Sequence, residues 1–450
     1  MRHLRLVLVA TTLAVVAAAA GWLLWARAPV GAPAATDGTD AGGSHPALAG
    51  PPPPVAWESV RWLPPTSDPL GPPDPLRRID GVAGTGGGLI GWGRTPIEGR
   101  NQFNDMGAVY LSEDAVTWRT VPIDDGVGPL NASTIADVAA GPLGYLAVGS
   151  VCCNPEELAL WRSADGLAWE RIEPAGVLEP MTDVAISVLP LPDGWILLGG
   201  SRLEPGSTIW RSDDGDAWEA VLEVGEGGNL PPIADVVAMP TGFAAVGTVV
   251  GDGGSYDGGV WSSVDGRSWE RVGADDPALV GEGEVQLYHA WSHAGGLFAV
   301  GLHGTEEQRR QCEEIIGMVA SIDDRPPLPP RFDATSCQPG EERTFASVDG
   351  LVWQRVDPAG GVGPQPIEFR VIAAGGPGLV LLGESSLAAS PDTMLFTSPD
   401  GVTWTAIDDG APMLADVALG LVIRGNAIVA VTDRWTDAET TLRIWVGSAE

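Results

Sequence analysis

Trp161-Arg162-Ser163-Ala164-Asp165-Gly166-Leu167-Ala168-Trp169 decides the fold of this chain. An aromatic residue, a Ser two places on, an Asp-Gly pair and a closing Trp read as a β-hairpin. Asp-Gly supplies the positive φ that a tight hairpin turn needs, and the Asp carboxylate can accept turn N–H groups. The pattern returns at Ser212/Asp214/Gly215/Trp218, Ser263/Asp265/Gly266/Trp269, Ser347/Asp349/Gly350/Trp353 and Ser398/Asp400/Gly401/Trp404. An earlier copy, Ser112/Asp114/Trp118, has Ala115 in the Gly position. Successive Ser residues are 51, 49, 51, 84 and 51 apart. A fixed period near fifty signals a propeller or a solenoid.

Upstream of each hairpin lies an apolar strand ending in Gly. Tyr145–Gly149, Trp195–Gly199, Phe243–Gly247, Leu297–Gly301 and Leu379–Gly383 are five such strands. A first unit ends near Gly93 and a seventh near Val431, which makes seven four-strand units. The last unit stops at its third strand, and Ala56-Trp57-Glu58-Ser59-Val60 resembles the fourth strand Ala217-Trp218-Glu219-Ala220-Val221. The expected fold is therefore all-β, a seven-bladed β-propeller over residues 55–450, closed by residues 55–60 as the fourth strand of blade seven.

Composition limits function. The 450 residues carry 59 acidic and 25 basic side chains, for a net charge of −34, and every basic residue is Arg. Such a surface repels nucleic acid and anionic lipid, so neither is expected as a partner of the main body. Residues 6–25 contain no charge and are long enough to cross a bilayer. Residues 1–27 thus read as a signal-anchor or, alternatively, a cleaved signal peptide. Residues 28–54, rich in Ala, Gly and Pro, read as a linker. The expected location is the cell membrane, single-pass with an extracytoplasmic C-terminal domain, or secretion if the signal is cleaved. The propeller is expected to be a monomer.

Here the residues carry a resemblance. Ser-x-Asp-Gly-x-x-Trp resembles the Asp-box, or BNR, repeat of sialidases, sortilin-type receptors and photosystem-assembly propellers. That family writes Ser-x-Asp-x-Gly-x-x-Trp, so this chain is similar to a divergent branch. The resemblance implies a propeller hairpin joining third and fourth strands. It does not by itself imply an enzyme.

A feature shared by most blades reads as construction, and a departure in one blade reads as a candidate site. The aromatic residues of the third and fourth strands, Trp57 included, are expected to pack blades together. Asp80, Asp137, Asp183, Asp235 and Asp416 recur near first-strand starts, either as an acidic ring for a cation or as acceptors for N–H groups of neighbouring blades. Blade five breaks the pattern. Its first strand carries Tyr288, His289 and His293, and His303 follows on the second. Blade six has Phe369-Arg370 where most blades have Ala-Asp or similar. A long insertion, about residues 304–343, joins the second and third strands of blade five, on the face of the channel mouth. Tyr288, His289, His303 and Arg370 with this insertion form the candidate ligand site.

Four Cys in an exported chain read as disulfides. Cys312 with Cys337 would pin the insertion, leaving Cys152 and Cys153 as a vicinal pair or free thiols. The alternative joins one of those two to the insertion. Neither the His residues nor the Cys pair have metal-site spacing. The loop Gly251-Asp252-Gly253-Gly254-Ser255-Tyr256-Asp257 offers a weak Ca²⁺ possibility, and no other cofactor is indicated.

The leading expectation is a non-catalytic binding module for a protein, peptide or wall glycan at the channel-mouth face. The alternative is a sialidase-like glycoside hydrolase. That family uses three Arg against the substrate carboxylate and a Tyr nucleophile. Only Arg77, Arg78 and Arg370 lie near first-strand positions, and Tyr288 is the only Tyr on a first strand.

Overall fold

A computed structural model describes residues 60–449, apart from connecting segments. The longer of these segments are 71–76, 97–104, 124–132, 152–156, 226–230, 311–340, 357–366, 386–392 and 408–415. The expected anchor and linker, Trp57 and all four Cys lie outside the described residues. Among the described residues, no helix is long and apolar enough to cross a membrane.

Seven sheets follow one another along the chain, antiparallel except where Ala175–Gly176 joins the outer strand of blade three in parallel. Their first strands are Arg78–Gly84, Ser133–Gly141, Asp183–Leu191, Ile233–Met239, Glu284–His293, Ile367–Gly375 and Asp416–Arg424. Each is followed outward by a second, third and fourth strand. In blade seven the place of the fourth strand, beside Thr440–Ala449, is taken by Val60–Trp62. Its register places Trp62 opposite Gly447, two residues after Trp445. In blade three Trp210 faces Ala220 and Arg211 faces Glu219, which puts Trp218 at the corresponding point. Trp62 is therefore the blade-seven equivalent of Trp218, not Trp57. The correction is one of register: Ala56-Trp57 and Arg61-Trp62 both offer a Trp, and only strand pairing distinguishes them.

The apolar core is not one mass. Seven buried clusters occur among the described residues, and each draws on two neighbouring blades. One joins Trp92 and Val109 of blade one to Ile135 and Trp161 of blade two. Another joins Val237 and Val260 of blade four to Leu287 and Phe345 of blade five. The seventh joins Val422 and Val429 of blade seven to Ile79 and Leu89 of blade one, completing the ring. A sheet apolar on both faces needs a neighbour on each side, so a ring satisfies every blade.

The third-strand aromatics Tyr110, Trp161, Trp210, Trp261, Phe345, Phe396 and Trp445 are all buried. So are Trp118, Trp218, Trp353 and Trp404 on the fourth-strand side. Among the described residues, most Trp side chains pack between blades.

The repeated turn has one hydrogen-bond plan. In blade two, Ser163 Oγ accepts from Gly166 N at 2.8 Å. Asp165 Oδ1 accepts from Leu167 N and Ala168 N at 2.8 and 3.2 Å, and Trp169 Nε1 donates to Gly166 O at 2.9 Å. Blades three and four repeat it through Asp214 and Asp265. The turn Gly residues have φ of +77° at Gly166, +84° at Gly215 and +72° at Gly266. Ala115 adopts the same conformation at +64° without being Gly.

Candidate functional site

Every first strand contains a β-bulge in the same place. The register shifts between Ile79/Gly81, Ile135/Asp137, Ala185/Ser187, Ile233/Asp235, Leu287/His289, Phe369/Val371 and Ala418/Gly420. The skipped residue is in turn Asp80, Ala136, Ile186, Ala234, Tyr288, Arg370 and Leu419. Bulges bend a strand and re-aim a side chain, and they concentrate near barrel rims and sites.

This register divides the first-strand acids into three classes. Asp80 is a bulge residue, Asp137 and Asp235 directly follow the bulge, and Asp183 and Asp416 begin their strands. They are not one equivalent ring. The extra residue in each strand defeats alignment by counting. Among the described residues, no group of three or more His, Cys, Asp and Glu side chains is gathered to hold a metal ion.

The two post-bulge acids act alike. Asp137 Oδ1 accepts from Val138 N at 2.8 Å, while Oδ2 reaches blade three and accepts from Val188 N at 2.9 Å. Asp235 Oδ1 accepts from Val236 N at 2.8 Å, while Oδ2 accepts from Ala290 N of blade five at 3.0 Å. Both carboxylates are buried, at 4% and 3% exposure. A buried carboxylate is tolerated when N–H groups satisfy it, and here one N–H comes from its own strand and the other from the next blade. For these two positions the acceptor reading describes the geometry.

Blade five changes the pattern. Its post-bulge residue is His289, whose Nδ1 lies 2.7 Å from Asp235 Oδ2. The carboxylate can only accept, so Nδ1 carries the proton. Where Asp137 and Asp235 reach forward to the following blade, His289 reaches backward. At the boundary of blades five and six stands an aromatic group instead. Trp291 stacks on Phe298 with centroids 5.8 Å apart and meets Trp404 edge-on at 6.5 Å.

The other expected site residues disperse. Tyr288, half-buried, is the bulge residue of blade five and packs against the cluster shared with blade six. Arg370 is the bulge residue of blade six, so these two occupy equivalent backbone positions in adjacent blades. His303 lies on the second strand opposite Val285 and contacts Arg355 of the outer strand. It is engaged away from the His289–Asp235 pair. His293, at the end of the first strand, meets Pro399 O of blade six at 3.0 Å, on the side opposite the mouth. Arg78 is paired with Asp80, which removes it from an Arg triad. Tyr256 and Asp257 of the expected Ca²⁺ loop sit in the third strand of blade four, and residues 252–254 lie outside the described residues.

At the seam of blades seven and one, Asp433, which the sequence did not single out, joins the first-strand acids Asp416 and Asp80. Asp416 is fully buried, with Oδ2 accepting from Thr432 Oγ1 at 2.9 Å and Oδ1 in ion-pair range of Arg434 Nε and Arg443 Nη1, each 3.7 Å away. Asp433 is pushed up to about 6 by burial, with Arg78 opposing and Asp80 and Asp416 adding to the rise. Only the packing of blade seven against blade one, the two ends of the repeat, brings Asp80 near Asp433, so no local signal announced it.

No family model matches the chain. No curated protein matches it either. Solved structures match much of the chain at low identity. Puromycin hydrolase is 11% identical with a TM-score of 0.48, over 86% of this chain and 54% of that one. The Trypanosoma rangeli sialidase is 12% identical with a TM-score of 0.41, over 82% and 53%. The Myceliophteria thermophila Cps50 (Swd1) propeller domain is 10% identical with a TM-score of 0.42, over 80% and 93%. The chain spans about half the length of the first two.

Proposed function

We propose that this chain is a membrane-tethered extracytoplasmic propeller that binds a protein, peptide or wall glycan at its mouth face, without catalysing a reaction. One observation carries the reading. The equivalent bulge positions of blades five and six hold Tyr288 and Arg370, where the other five blades hold Asp80, Ala136, Ile186, Ala234 and Leu419. An amphipathic ring and a guanidinium side by side in a repeat are the residue types that anchor interfaces. Blade five also carries the insertion over residues 305–340, between strands whose junction lies on the mouth face. The conspicuous acid–imidazole pair, Asp235 with His289, is buried and satisfied across a blade boundary, as a structural latch would be.

The test uses the full chain. Wild-type protein, Tyr288→Ala/Arg370→Ala and a deletion of residues 305–340 are compared for retention of extracytoplasmic proteins and soluble wall-glycan fragments. A specific ligand held by wild type and lost from both variants is expected. Equal retention by all three would overturn the site. Turnover of a fluorogenic sialoside by wild type would overturn the non-catalytic reading.

A further inference from the structure

The connections of the propeller fall on two faces. Turns joining first to second and third to fourth strands share one face, here called the turn face, and the channel mouth is on the other. Nine large hydrophobic side chains are exposed among the described residues, and seven of them stand on the turn face. Val264 at 83%, Val348 at 86% and Val352 at 69% are the most exposed of the nine. Leu351 completes the tip of blade five, and Val116, Leu143 and Leu167 extend the feature to blades one and two.

The repeat supplies its own control. Blade three has Asp213 and Asp216 at the turn positions where blade five has Val348 and Leu351. Asp213 pairs with Arg211 and Arg267, and Asp216 with Arg162 at 2.9 Å. The turn thus accommodates charge at these places, and hairpin construction does not call for valine or leucine there. A contiguous apolar tip on a chain this acidic signals a contact surface.

The chain also enters on this face. The third strand of blade seven, Thr440–Ala449, runs from the mouth face to the turn face. Val60 pairs with its last residue, Ala449, and Trp62 with Gly447. The antiparallel strand therefore starts at the turn face and runs toward the mouth. The described chain thus begins at Val60 on the turn face, and the uncharged stretch 6–25 precedes that point in sequence.

We propose that the turn face rests on a lipid surface, with Val264, Val348, Leu351 and Val352 at the headgroup boundary, and that the mouth face points away from the bilayer. This rests on the reading of residues 6–25 as an anchor. The chemistry selects a neutral, zwitterionic surface. Asp265 and Asp349 stand exposed beside the apolar tips and are kept ionised by turn N–H groups, so anionic headgroups are repelled. Shallow apolar contact adds to a tether that already supplies the local concentration.

The experiment reconstitutes the full chain in phosphatidylcholine vesicles, with p-benzoylphenylalanine in place of Val348, Val352 or, on the mouth face, Val250. After illumination, mass spectrometry reads the covalent adduct. Phosphatidylcholine adducts at 348 and 352, at least fivefold above those at 250, are expected. Replacing half of the lipid by phosphatidylglycerol at low salt should lower them. With the protein still on the vesicles, adducts equal at both faces or absent from the turn face overturn the proposal. So do cross-links to a second copy of this chain, which would assign the tips to self-association. Release of the protein by alkaline carbonate would refute the anchor itself, an outcome distinct from a wrongly assigned face. Val264→Asp leaves the blade core untouched and should lower the adduct yield at 348 severalfold.

Discussion

His289 Nδ1 and Asp235 Oδ2 lie 2.7 Å apart across the boundary of blades four and five, where the equivalent residue after the bulge of blade three is Ser187. The contact adds a charge-assisted hydrogen bond to a carboxylate that already holds Ala290 N. His289→Ala should cost about 1.5–3 kcal/mol of stability, the usual worth of a hydrogen bond to a buried charge. Asp235→Ala should cost more, because it also leaves the N–H groups of Val236 and Ala290 unpaired. Denaturant titration of both variants checks the order. A His289→Ala protein as stable as wild type would show that the pair is not a latch.

Ala115 gives a prediction of opposite sign. It holds φ +64° in a turn where the other blades use Gly, and a Cβ in that region costs about 1–2 kcal/mol. Ala115→Gly should recover about 0.5–1 kcal/mol after the entropy of the freer unfolded chain is subtracted. Gly166→Ala should lose about 1 kcal/mol from φ alone, its Cβ meeting Leu111 at an ordinary 3.4 Å. Gly401→Ala should lose more, since its Cβ would lie 2.6 Å from the buried Phe298 ring. Thermal unfolding of the three variants tests this ranking.

The pH profile should carry two opposed signatures. Turn N–H groups hold Asp114, Asp165, Asp214, Asp265 and Asp349 below the ordinary 3.8. The unfolded chain binds protons first at these sites, so their stabilisation is present above that value and is lost as pH falls through the lowered pKa values. Asp433 runs the other way. Burial raises it from 3.8 to about 6, so ionisation costs the folded state progressively as pH climbs across that interval. The cost at neutral pH is roughly 3 kcal/mol. Asp433→Asn should therefore flatten the stability curve between about pH 4 and pH 7 and raise stability at neutral pH. A variant with an unchanged curve would refute the assignment.

Tyr288 and Arg370 should behave as a pair in binding and as bystanders in folding. Each replaced by Ala is expected to weaken ligand retention at least tenfold, the scale on which interface anchors act. Neither change should move the unfolding midpoint as far as His289→Ala does, because His289 is nine-tenths buried in its latch. Parallel binding and unfolding curves on the same preparations separate the two roles.

The seven blades were legible in the chain because their code is local. Ser163, Asp165, Gly166 and Trp169 close a turn within seven residues, and that turn recurs at intervals of 49 or 51 residues, with one interval of 84 across the blade-five insertion. Burial of the third-strand aromatics followed from the same period. Register was not legible. One extra residue in each first strand shifts every later position to the other face, so Asp80, Asp137 and Asp183 look equivalent when counted and stand in three different places when paired. Likewise Trp57 and Trp62 compete on equal terms until Gly447 selects Trp62. His289 and His303 are close in sequence, but one turns to Asp235 and the other to Arg355. Composition and periodicity record what a residue can do within its own hairpin. Which partner it meets across a blade boundary depends on how neighbouring sheets pack, and which face receives the incoming chain depends on the pairing of Val60–Trp62 with Thr440–Ala449.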